Sequence, residues 1–111
     1  MIEVIIKQYL DEHLDVPSFF EHNTKMPARF VVIDRTGGNE RTGLKSAVVA
    51  LQSYAESLYE AASLNERVKE AVAGMIGLDA IASVRLNSDY NFTDTETKRY
   101  RYQAVFEFKY Y

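Results

Sequence analysis

The chain has 111 residues, 47% of them hydrophobic, 26% charged and 13% aromatic, with a formal net charge of −3. That is the composition of one globular domain, residues 1–111, long enough to bury a core unaided and unlike a disordered chain. The absence of cysteine excludes disulfides, thiolate nucleophiles and Cys-based zinc sites, and the slight negative charge argues against a dedicated nucleic-acid binder.

No stretch nears the roughly 18 apolar residues that a membrane span needs. The opening residues, Met1 to Lys7, lack the basic region and apolar run of a secretory signal. The expected place of folding is the cytoplasm of the cell that makes the protein, with no membrane partner.

Residues 2–14 read as an amphipathic helix, with Ile2, Ile5, Ile6, Tyr9 and Leu10 at helical spacing. Pro17 bars its continuation, and residues 16–20 suggest a short edge strand. Residues 21–28 form a polar loop. Residues 29–35 contain Phe30, Val31, Val32 and Ile33, apolar on both faces as in a central strand. Residues 34–43 read as a polar hairpin tip in which Gly37 and Gly38 supply positive φ. Residues 44–52 are the returning strand, with Ala47, Val49 and Leu51 on one face.

Ser53 and Glu56 match a capping box, which predicts a long helix from there to about Ile76, roughly 35 Å in length. Its apolar stripe includes Leu58, Ala61, Leu64 or Asn65, Val68, Val72 and Met75, and Gly77 stops it. Residues 80–90 form a strand with Ala82, Val84 and Leu86 on one face. The last strand alternates most clearly: Tyr100, Tyr102, Ala104, Phe106, Phe108 and Tyr110 face one way, Arg99, Arg101, Gln103, Glu107 and Lys109 the other. A second polar tip, residues 89–98, precedes it. The fold class is therefore α+β, in the order α-β-β-β-α-β-β, with a mixed, mainly antiparallel sheet packed on one face by the long helix.

Chemistry finds few footholds. His13 ends a helix, where it complements the dipole more readily than it ligates a metal; His22 is the other histidine. Asp89, Asp94 and Glu96 read as a solvated charged tip rather than an acid pair. Thr36-Gly37-Gly38-Asn39 lacks the Lys-Ser/Thr ending of a phosphate-binding loop. Arg99 and Arg101 point away from Tyr100 and Tyr102, so they build no stacking platform for nucleic acid. No catalytic, cofactor or metal set emerges.

Three segments resemble a known family. Residues 30–38, Phe-Val-Val-Ile-Asp-Arg-Thr-Gly-Gly, resemble the strand and tip of small phage proteins encoded between head and tail genes. Val48-Val49-Ala50-Leu51-Gln52-Ser53-Tyr54-Ala55, with Glu60-Ala61, resembles their strand-to-helix junction. Residues 87–94 with Arg99-Tyr100-Arg101-Tyr102 resemble their closing hairpin. The family is that of siphophage tail terminator or tail completion proteins, also described as minor capsid or head–tail joining proteins.

The resemblance covers residues 29 to the end and implies a structural, non-enzymatic protein forming a homo-oligomeric ring, typically a hexamer. Such a ring would cap the tail-tube protein, stop tube growth, meet the head-connector protein, and pass from host cytoplasm into the virion. The alternatives are a neck adaptor on the portal side, a small ligand-binding α+β domain, or a carboxylate-dependent enzyme. The two-faced strand at residues 30–33 and the two polar tips suit assembly, and the partner-binding candidates are Arg35, Gly37, Gly38, Arg41, Asp94, Glu96 and Lys98.

Overall fold

The computed structural model describes residues 1–41, 43–96 and 99–111. Helix α1 spans Ile2–His13 and is followed by strand β1, Ser18–Phe19. The hairpin strands β2, Phe30–Arg41, and β3, Leu44–Ala55, lead into helix α2, Leu58–Ala73, and a 3-10 turn, Gly74–Gly77. Strands β4, Ile81–Asn91, and β5, Tyr100–Tyr110, close the chain. The α+β class and the order α-β-β-β-α-β-β stand as read from the sequence.

The five strands form one sheet in the order β1-β2-β3-β5-β4. Only β1 runs parallel to its neighbour; the other pairings are antiparallel. Both helices cover the same face. Ile2, Ile6 and Leu10 of α1 and Leu64, Val68 and Val72 of α2 are buried against Val31, Ile33, Val49, Leu51, Phe106 and Phe108 of the sheet. The alternation in β5 predicts this face, and Phe106 is 3% exposed within it. The turn from α1 into β1 is tied by Asp11, whose Oδ1 accepts from the Ser18 backbone N–H at 3.2 Å and its hydroxyl at 2.6 Å.

Four expectations are corrected. Residues 34–41 are strand, not a loose tip: Asp34 to Arg41 pair with Leu44 to Ala50. Their side chains are polar and exposed on both faces, so no hydrophobic period marks them. Positive φ belongs to Gly43, at +79°, not to Gly37 or Gly38.

The helix cap lies at Ser57, whose hydroxyl accepts from the Glu60 backbone N–H at 3.1 Å. Ser53 instead sits in β3, fully buried, with no partner for its hydroxyl among the described residues. Ser57-Leu58-Tyr59-Glu60 has the same Ser-x-x-Glu spacing as Ser53 to Glu56. Pairing of β3 with β5 as far as Ala55–Tyr100 delays the helix by one turn. The 16 residues of α2 therefore make about 24 Å of helix.

The fourth correction concerns residues 30–33, apolar on both faces and so a motive for a partner. The second face is covered within the chain. Phe30, Val32 and Tyr54 form a small cluster there, with Phe19 and Met26 packed against it.

Three substitutions test this packing. Phe106→Ala is expected to cost about 3–5 kcal/mol in chemical denaturation, and a loss below about 1 kcal/mol would mean that this face is not the core. Ser57→Ala should cost about 1 kcal/mol. Ser53→Ala should be neutral or stabilising, because it removes a buried hydroxyl that has no partner. The opposite ranking would restore the cap to Ser53.

Candidate functional site

The antiparallel registers put the two hairpin ends at opposite poles. Arg41 pairs with Leu44 at one end, beside Lys45–Tyr110. At the other, Ala55 pairs with Tyr100 and Asn91 with Tyr102. The molecule is elongated to match, 44 Å by 25 Å by 23 Å.

At the first pole, a bulge between Arg35 and Gly37 shifts the register of β2. The bulged Thr36 donates its hydroxyl to the Val48 carbonyl at 3.3 Å. Arg35 then folds along its own strand. Its Nε donates to the Gly37 carbonyl at 3.3 Å, and Nη1 lies 3.9 Å from Glu3 Oε1 on α1. Gly38 makes room for it, since a Cβ there would meet the Arg35 guanidinium and lie 2.6 Å from the Ser46 carbonyl oxygen. Gly37 faces open space. Glu40 and Arg41 are exposed near the end of the arm. Of the first-tip candidates, Arg35 and Gly38 thus have structural work on the arm, and Arg41 is the outward cation.

The second pole is built from local turns. Asn91 Oδ1 accepts from the Thr93 N–H at 3.0 Å and its hydroxyl at 2.6 Å, and Asp94 Oδ1 accepts from the Glu96 N–H at 3.0 Å. Asp94 and Arg99 form an isolated bridge. Arg101 clamps this end to the sheet. Its Nε donates to the Phe92 carbonyl at 2.9 Å and Nη1 to the Tyr54 hydroxyl at 2.9 Å. Its guanidinium carbon lies 4.2 Å from the Phe92 ring centre and 5.4 Å from that of Tyr54. Tyr54 stacks on Phe30 at 4.5 Å, and His22 tilts over both rings at 5.5 and 5.7 Å. That contact with the rings removes water from the imidazole and, with repulsion from Arg99 and Arg101, lowers the His22 pKa.

Sequence proximity misleads for the acids. Asp94 and Glu96 belong to the turn, but Asp89 lies on β4, where it meets Lys69 at 3.3 Å and Asn65 Nδ2 at 3.4 Å. The hydrogen bond that Lys69 donates to Glu66, joined by one to Asp89, holds its ammonium above the usual pKa despite its desolvation. Lys98 lies outside the described residues. His13 stacks on Tyr9 at 3.9 Å, and its Nδ1 lies 2.8 Å from the Tyr9 carbonyl. Among the described residues, no three His, Cys, Asp or Glu side chains are grouped to hold a metal, and no helix is long and apolar enough to cross a membrane.

Sequence reasoning missed the convergence of His22, Tyr54 and Arg101. Only the shared face of Arg99 and Arg101 was visible; the partners come from distant segments. No protein-family model matches the chain, and no curated protein sequence matches it.

The close approach at Gly38 is testable. Gly38→Ala should destabilise the protein by about 1–3 kcal/mol, because the new methyl group meets backbone as well as Arg35. Gly37→Ala, into open space, should change thermal or denaturant stability little. Equal effects would mean that Arg35 does not lie over Gly38.

Proposed function

We propose that this chain is a structural assembly protein of a tailed bacteriophage or prophage: a tail terminator that caps the tail tube, ends its growth and joins the tail to the head connector. One observation carries the reading beyond the resemblance. The two hairpin ends lie at opposite poles of a single sheet, so one domain presents separate surfaces in two directions. A protein that meets the tail tube on one side and the connector on the other needs that arrangement. A neck adaptor would use it equally, with the portal side in place of the tube.

The segments that carry the resemblance also fall where such a role needs them. Residues 30–38 run from the core out along the first arm, while Tyr54 and Arg101 fasten the second end. Polar, exposed side chains on both faces of the first arm leave its surface open to a partner. Charge there would steer and orient docking more than it would add affinity.

In this reading the chain forms a closed ring of six through heterologous contacts, in which one surface meets a different surface of the next copy. Sedimentation velocity should detect that ring, alone or on tail-tube protein, whereas a compact symmetric dimer would contradict it. Arg41 is the better probe of the first arm, because reversing Arg35 would also disturb Glu3 and Gly37. Arg41→Glu should give phage with tails of abnormal length or unjoined heads. Normal tails and full infectivity, with the folded variant present in virions, would remove the first arm from the docking surface.

A further inference from the structure

On the sheet face away from the helices, a groove of about 510 Å³ is lined by His22, Tyr54, Asp94, Arg99 and Arg101. Its walls are His22, from the loop before β2, and Asp94 and Arg99, from between β4 and β5. Its floor is the Tyr54–Arg101 pair, hydrogen-bonded at 2.9 Å.

The lining is rich in donors. Tyr54 accepts a hydrogen bond from Arg101, so its own O–H is left to donate. Arg101 spends Nε on Phe92 and Nη1 on Tyr54, which leaves Nη2. The Arg99 guanidinium is exposed and makes no hydrogen bond or ion pair among the described residues. A neutral imidazole at His22 brings one further N–H. Against two guanidinium groups stands one carboxylate, Asp94, whose Oδ1 already accepts from Glu96. The groove is short of negative charge, and desolvation of the imidazole, with repulsion from the two arginines, disfavours the charging of His22.

We propose that this groove binds a phosphate group. The donors approach from three elements, namely the loop before β2, β3 and the start of β5, as a tetrahedral oxyanion requires. A planar carboxylate takes both donors of one guanidinium fork; Arg99 offers such a fork, but each fork of Arg101 has one nitrogen engaged, so the remaining Arg101, Tyr54 and His22 donors suit an anion that accepts from several directions. The phosphate would come from the free anion or from a nucleotide chain. Phosphate binding in this groove does not depend on ring assembly.

The chain holds only two histidines, so proton NMR of the imidazoles reads the site directly. His13, stacked on Tyr9 at the end of α1, is the internal control. Titration with inorganic phosphate at constant ionic strength should shift the His22 signal saturably and leave His13 still. Bound anion offsets the repulsion from Arg99 and Arg101, so the His22 pKa should rise. Arg99→Gln should weaken binding about tenfold, the usual loss for one charge-assisted hydrogen bond.

Sulfate, whose charge does not change near neutral pH, should bind more tightly as pH falls and His22 gains its proton beside Arg99, Arg101, Tyr54 and Asp94. A short oligothymidylate that binds more tightly than phosphate, with affinity falling as salt rises, would assign the phosphate to a nucleic-acid chain. Weaker or equal binding would assign it to the free anion. Parallel, unsaturable drift of both histidines, or unchanged affinity in folded Arg99→Gln, would overturn the proposal.

Discussion

The pairing of β3 with β5 sets the rest of the molecule. It runs from Lys45–Tyr110 to Ala55–Tyr100 without a break, whereas the two pairings that flank it, β2 with β3 and β4 with β5, carry bulges. Side chains alternate along a strand, so a slip of one residue in that central pair would turn either Val49 and Leu51 of β3 or Phe106 and Phe108 of β5 away from the helices. Because the large apolar groups of that pair are concentrated on the helix face, such a slip is costly, at roughly 25 cal/mol per Å² of apolar surface returned to water. The central register therefore holds, and irregularity is pushed outward to β2 and β4.

That division explains the two sides of the sheet. The helix side is a continuous apolar core. The other side is closed only near the start of β2, where Phe19 and Met26 cover Phe30, Val32 and Tyr54. Beyond that patch it carries a polar row across three strands: Gln52 donates to Gln103 at 2.9 Å, and Gln103 donates to the Tyr90 hydroxyl at 2.6 Å. Side chains that satisfy one another in this way need no further layer. The donor-rich groove sits at the border between the apolar patch and the polar row.

Sequence reasoning read what burial writes. The alternation of β5, the stripe of α2 and the element order were legible because each places apolar groups on one face at a fixed period. The first arm was not legible, since pairing without burial has no hydrophobic period and Asp34 to Arg41 look like any polar loop. The cap was misplaced because two Ser-x-x-Glu segments lie four residues apart, and the choice between them depends on Tyr100, far along the chain. At the second pole, the spacing of Arg99 and Arg101 announced a shared face. Nothing local announced that Tyr54 and His22 would join them there.

The first arm poses a physical question of its own. Fixing a backbone costs about 1–2 kcal/mol per residue, and the outer part of β2 buries no side chain in return. It is held by its ladder to β3, by the Thr36 hydroxyl on Val48 and by Arg35 lying along it toward α1. β1 pairs only with Val31 and Val32, so the free side of the arm is an open sheet edge. Open edges invite indiscriminate pairing unless charge, a bulge or a covering segment blunts them. This one has both a bulge and alternating charges at Asp34, Arg35, Glu40 and Arg41. Those features discourage an apolar strand and leave the edge open to a partner with matching polar groups, so the same residues that keep the arm from aggregating restrict what can dock on it.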